Sequence, residues 1–248
     1  MRVIYEPKGQ AREFSPLAAN LYDGCGHSCL YCYAPLIMRK NRIRFQIPEL
    51  RRPSLLRELE LDAREIQGDR RPILLCFSCD PYQPIDEGFE LARRAIEILH
   101  RHDLTVQILT KGGKRSERDF DLLAARPERS HYAATLVFAD EDERRHYEPH
   151  AAPTQERIEC LKRAHELGIP TWVALEPVYY PEDAYRLIRE THEFVDEYRI
   201  GKLNYYPAAE KVDWHIFTRK VIELLERLGN RYYIKKSLRK YMKTEREA

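Results

Sequence analysis

The sequence predicts an α/β fold in which strand–helix units repeat and curl into an open, partial (β/α)6 barrel with a C-terminal helical tail. Two patterns carry this expectation. Short apolar runs of strand length alternate with amphipathic stretches of helical length, giving six units in order. Polar residues with chemical potential fall just after the apolar runs, where the loops of α/β barrels build active sites.

The first strand is placed at residues 17–22 and the first long helix at 54–66. Ile73, Leu74 and Leu75 sit in a buried-strand run over 72–77, and Leu91, Ala95, Ile96 and Leu99 recur at helical spacing over 89–100. A third strand follows at 104–109, then a helix from an N-cap at Ser116 to Leu123, then a strand at 132–138. Thr154 is read as the cap of the next helix, which stops at Gly168 with Pro170 just beyond, and 171–175 is the fifth strand. A helix over 184–193 closes the fifth unit and a strand over 198–203 opens the sixth. Asp213 opens a last helix with Ile216, Val221, Leu224, Leu225 and Leu228 on one face and Gly229 at its end. Parallel strands joined by right-handed crossovers follow from this order. Residues 1–230 are expected to form the barrel domain and 231–248 a basic tail.

At 248 residues and 43% hydrophobic, the chain can bury a substantial core. It has no apolar run long enough to span a bilayer and no signal peptide, so a cytoplasmic location without membrane partners is expected. The net charge of +2 hides an uneven distribution. Arg39, Lys40, Arg42, Arg44, Arg51 and Arg52 crowd one stretch, and the tail interleaves Arg231, Lys235, Lys236, Arg239, Lys240, Lys243 and Arg246 with Tyr232, Tyr233 and Tyr241. Basic and aromatic residues together suit a nucleic acid; a solvated helix face is the alternative.

Cys25, Cys29 and Cys32 lie in one short loop, Asp23-Gly24-Cys25-Gly26-His27-Ser28-Cys29-Leu30-Tyr31-Cys32-Tyr33. Thiolates are the usual ligands of a four-iron cube, and three of them leave one corner open for chemistry. A structural Cys3His zinc is the competing reading, with His27 or the Cys76/Cys79 pair completing the set. A disulfide framework fits neither this cysteine usage nor the expected compartment.

The Cys-x3-Cys-x2-Cys spacing with an aromatic before the last cysteine resembles the radical S-adenosylmethionine superfamily. The segments Tyr31-Cys32-Tyr33, Asp80-Pro81-Tyr82-Gln83-Pro84 and Thr110-Lys111-Gly112 resemble its spore photoproduct lyase branch, over roughly residues 17–180. The resemblance implies a partial barrel of the radical SAM type, a [4Fe-4S] cluster on Cys25, Cys29 and Cys32, and S-adenosyl-L-methionine bound at the open iron. It implies reductive cleavage of that cofactor to a hydrogen-abstracting 5′-deoxyadenosyl radical, fed by an external electron donor. It further implies cofactor contacts from Tyr31, Asp80, Lys111 and Thr135, and a radical-relay role for Tyr33. The lyase's hydrogen-donating cysteine is replaced here by Phe77, between Cys76 and Cys79. Cys79, beside Asp80, is the candidate to take over, while Cys76 is read as a buried apolar residue pointing to the opposite face.

Three functional readings follow: a radical enzyme acting on nucleic acid, the same chemistry on a peptide or small metabolite, and a noncatalytic zinc or iron–sulfur protein. Glu176, Tyr179, Tyr180, Lys202, Asn204 and Tyr205 fall at the ends of the last two strands, where a substrate is expected. Glu148 and Arg157 also match family positions and are read as a structural pair.

Overall fold

The computed structural model describes residues 2–204 and 211–242. Its main sheet has eight strands in the order β1-β2-β5-β6-β7-β8-β9-β10: Ile4–Tyr5, Leu17–Ala19, Ile73–Leu75, Val106–Ile108, Ser130–Thr135, Thr171–Val178, Glu197–Lys202 and Arg231–Ile234. A separate antiparallel pair, β3 (Tyr22–Asp23) and β4 (Glu49–Leu50), frames the cysteine segment. β1 runs antiparallel to β2, and every later neighbour in the main sheet is parallel. Helices Leu55–Glu65, Leu91–Arg101, Phe120–Ala125, Thr154–Glu166, Pro181–Thr191 and Trp214–Leu228 make the crossovers.

The sheet curls. Phe14 O accepts hydrogen bonds from Gln107 Nε2 on β6 and Arg199 Nη1 on β9, strands three places apart, so the segment before β2 lies across the concave face. That face is lined by Ala133, Trp172 and Ala174 with Phe14 and Leu109 packed on them. The Arg199 guanidinium lies over the Trp172 ring, 4.0 Å from its centroid. The convex face carries the main core, where alternate residues such as Val106, Ile108, Tyr198 and Ile200 meet the apolar sides of the helices.

The six predicted strand–helix units are present, and a seventh parallel strand, β10, is added to them. Arg231–Ile234 was expected in the basic tail; instead it pairs with β9 from Arg231↔Glu197 to Ile234↔Ile200. Its flanking charges mask a four-residue edge strand that is buried mainly at Ile234. Ser116 lies inside the 3₁₀ helix Gly113–Asp119, where its hydroxyl bonds Gly113 O and Tyr132 Oη and caps nothing. Thr154 is the first residue of its helix and not its cap, because its hydroxyl donates to Phe138 O. Asp213 is a true N-cap that accepts from Ile216 N, and Gly168 and Gly229 end their helices with φ of +76°. Lys243 and Arg246 lie outside the described residues. Among the described residues no helix is long and apolar enough to cross a membrane.

Candidate active site

After β2 the chain leaves the sheet, and the excursion between β3 and β4 carries all three motif cysteines. Gly24 is required there: its φ is +95°, and a Cβ would stand 2.6 Å from Phe45 O. Cys25 N donates to that same carbonyl at 2.8 Å. Gln83, fully buried after β5, accepts from Gly26 N at 2.8 Å and donates to Gly24 O, so the Asp80-to-Pro84 segment clamps the loop. Leu30 N donates to Tyr147 O, and Arg42 donates to Cys29 O at 3.3 Å and to Cys32 O at 2.7 Å.

Burial pushes all three thiols up, Cys29 to about 12. Thiolates at this position need a compensating positive charge, which bound iron supplies. The donor set therefore fits an iron–sulfur cluster. It fits zinc poorly: the His27 ring has Nδ1 3.4 Å from Asp80 Oδ2 and Nε2 3.2 Å from Arg115 Nη2, leaving no nitrogen for a metal. Among the described residues no three His, Cys, Asp or Glu side chains draw together around a single ion.

Asp80 joins the ends of β5 and β6. Its Oδ1 accepts from Tyr82 N at 2.9 Å and Thr110 Oγ1 at 2.6 Å, and its Oδ2 from Lys111 N at 2.7 Å. Burial would raise the carboxyl, but His27 and these hydrogen bonds hold it well below the usual range. Its acceptor capacity is thus largely used within the protein, and it orients Lys111.

Tyr31, Lys111 and Arg157 converge on Glu148. The Tyr31 hydroxyl donates to Glu148 Oε1, Lys111 Nζ stands 3.9 Å from the same oxygen and 5.7 Å from the Tyr31 ring centroid, and Arg157 Nη2 donates to Oε2 at 2.6 Å. Arg157 and Glu148 are 1% and 0% exposed, the structural pair expected from sequence. Arg157 Nη1 also donates to the carbonyl of Thr135, the buried last residue of β7. Phe138, Tyr147, Tyr179 and Tyr180 extend the aromatic wall from Tyr31.

Cys76 and Cys79 do not point to opposite faces. β5 ends at Leu75, Phe77 N and Ser78 N both donate to Asn20 Oδ1, and this bend leaves Cys79 near the buried Cys76, whose thiol burial and the Cys79 side chain push up. Phe77 takes the inward position, in contact with Phe14 and Tyr33. Opposite them, the Glu176 carboxylate pairs with Lys235, which is 2% exposed. Gly201 makes room for it, since a Cβ there would lie 2.4 Å from Glu176 Cδ. Sequence reasoning missed Lys235 because it was counted with the charged tail. Tyr205 lies outside the described residues.

A curled parallel sheet with three cysteine thiols on the excursion after its first parallel strand, Cys29 buried and Cys25 and Cys32 half-buried, beside a lysine, a tyrosine and a carboxylate, has the arrangement of an iron–sulfur α/β-barrel enzyme. The model of the radical SAM superfamily matches residues 19–195, and the chain belongs to that superfamily. It is a radical SAM enzyme, and its cofactors are the [4Fe-4S] cluster and S-adenosylmethionine of that superfamily. An uncharacterized protein of Methanocaldococcus jannaschii is 25% identical over 197 residues, 77% of this chain and 71% of that one. An uncharacterized Mycobacterium tuberculosis protein is 26% identical over 178 residues, 64% of this chain and 48% of its own length. Among solved structures, a spore photoproduct lyase mutant with bound AdoMet and dinucleoside spore photoproduct superposes with a TM-score of 0.70 at 13% identity, covering 92% of this chain and 78% of that one. Streptococcus suis SuiB bound to S-adenosylmethionine superposes at 0.66 and 13% identity, covering 88% of this chain and 49% of that one. At these identities the superpositions establish the fold.

Proposed function

We propose that this enzyme abstracts hydrogen from a nucleic acid, with Cys25, Cys29 and Cys32 holding the cluster. When bound, the cluster and S-adenosylmethionine together supply one-electron cleavage of a carbon–sulfur bond and hence a hydrogen-abstracting radical. The chain's residues bind and orient. Lys111 would offer its ammonium to the cofactor carboxylate, the Tyr31 ring would contact the adenine, and Thr135 would contact the same ligand. Asp80 positions Lys111 through the backbone bond it accepts. Tyr33 and Cys79 are the candidate hydrogen carriers; Tyr33 lies against Phe77, and Cys79 is a half-buried free thiol near Cys76.

The observation that carries the nucleic-acid reading is a cation–aromatic cluster at the end of β9. Lys202 Nζ lies 5.3 Å from the ring centroids of both Trp214 and Tyr241, and Lys240 Nζ lies 4.8 Å from the latter. Lys240 is exposed and Lys202 and Tyr241 are half-buried, so a phosphate and a base can meet them together, while Trp214, buried in the core, backs the cluster. The similarity to spore photoproduct lyase makes DNA repair the first activity to try. The test is anaerobic turnover with deuterated oligonucleotides: deuterium appearing in 5′-deoxyadenosine supports the reading, and cofactor cleavage with no transfer from any DNA or RNA overturns it.

The Glu176–Lys235 pair favours a second reading, in which the substrate is a peptide or small metabolite with its own charged groups. The SuiB structure bound to precursor peptide SuiA shows a fold relative with such a ligand. Binding of this chain to DNA that is weak and insensitive to salt would favour this reading, since phosphate contacts impose a steep salt dependence.

A further inference from the structure

The excursion that carries the cysteines has an outer face that the proposed chemistry leaves unused. Leu36, Ile37, Ile43 and Ile47 are 60%, 62%, 74% and 59% exposed. Around them stand Arg39, Lys40, Arg42, Arg44, Arg51 and Arg52, against Glu49 as the one acidic residue between 36 and 52. Lys40 pairs with Asp23, Arg44 with Glu49 and Arg52 with Glu58, while Arg39 and Arg51 meet no carboxylate among the described residues. A hollow of about 210 Å³, bordered by Asp23, Lys40, Arg44, Phe45 and Ile47, gives the face relief. Four exposed aliphatic side chains within one short excursion, interspersed with basic residues, suit a protein-binding surface.

We propose that this face docks an acidic one-electron carrier protein, the reductant of the cluster; the proposal rests on the radical SAM assignment. Arg42 decides the partner. It is exposed, yet its guanidinium donates to the carbonyls of Cys29 and Cys32, so one side chain separates the surface from two cluster ligands. A carrier seated there would pass one electron inward past Arg42: the carrier would be oxidised and the cluster held by Cys25, Cys29 and Cys32 reduced by one electron, with no proton moving. Charge complementarity selects an acidic carrier and speeds its encounter. Nucleic acid fits this face less well. Its cations would meet phosphates, but four exposed aliphatic side chains offer bases no stacking platform.

The test uses the reconstituted holoenzyme and its Ile43→Glu/Arg44→Glu variant, with Ile47→Glu as a second variant. Two reductants are compared, a reduced flavodoxin and dithionite, and calorimetry measures binding of oxidised flavodoxin at low salt. The expected result is about tenfold weaker flavodoxin binding and about tenfold slower flavodoxin-driven cofactor cleavage in both variants, with dithionite-driven cleavage unchanged. Equal binding and equal rates, or no flavodoxin binding to the parent enzyme, overturn the proposal. So does loss of oligonucleotide binding with flavodoxin binding intact, which would make the face a nucleic-acid surface. Absence of cleavage with dithionite in the parent would instead strike the radical SAM assignment.

Discussion

Arg157 and Glu148 form a 2.6 Å ion pair with both side chains buried, and Tyr31 and Lys111 turn toward the same carboxylate. This hub ties the cysteine loop to β6, β7 and the helix Thr154–Glu166, and it sets where Lys111 can present its charge. Removing one partner of a buried pair strands the other, at a cost of about 3–5 kcal/mol. Glu148→Ala is therefore expected to lower unfolding free energy by that amount and to reduce iron uptake on reconstitution, checked by denaturant titration and iron analysis.

Acid should loosen the same region. Burial raises the Glu148 and Asp80 carboxyls, but their partners more than offset it, so both are held below their ordinary values. A depressed folded pKa contributes stability above the unfolded range near pH 4, and that stability is lost as pH falls through the folded value. The melting temperature of iron-free protein should drop steeply below about pH 4, and Glu148→Gln should flatten the drop.

Gly24→Ala should damage the site while sparing the barrel. The left-handed φ and a Cβ 2.6 Å from Phe45 O together impose strain of roughly 1–3 kcal/mol on the cysteine loop alone. Far-ultraviolet circular dichroism is expected to be unchanged, and iron bound per chain is expected to fall.

Gly201→Ala tests the floor beneath Glu176. The added methyl meets Glu176 Cδ at 2.4 Å and Oε1 at 2.6 Å, which would push the carboxylate off Lys235. Overpacking of this kind costs typically 1–3 kcal/mol. On the reading that places Glu176 where a substrate is expected, turnover of any identified substrate should fall further than uncoupled 5′-deoxyadenosine formation; comparing the two rates checks this.

Sequence made the barrel legible where its helices were bounded by Gly, Pro or a capping residue, as at Gly168 with Pro170 and at Asp213 with Gly229. It failed where side chains chose tertiary partners over local ones. Ser116 and Thr154 look like caps but spend their hydroxyls on Gly113, Tyr132 and Phe138. The cysteine loop was legible in its spacing, and Lys111 and Tyr31, named by the family resemblance, are brought together at Glu148. Lys235 was not, because its role depends on a strand hidden among charges and on a carboxylate nearly sixty residues away in sequence. The nearness of Cys79 to Cys76 was equally hidden, since it follows from the strand stopping at Leu75 and from Asn20 bending the chain.

The central claim is that Cys25, Cys29 and Cys32 carry a redox cluster that cleaves S-adenosylmethionine. The direct measurement is anaerobic reconstitution with iron and sulfide, reduction with dithionite, addition of S-adenosylmethionine and quantification of 5′-deoxyadenosine, with Cys29→Ala in parallel. The account predicts 5′-deoxyadenosine from the parent chain and none above background from the variant. Tight zinc binding with no 5′-deoxyadenosine, or equal product from both proteins, would contradict it.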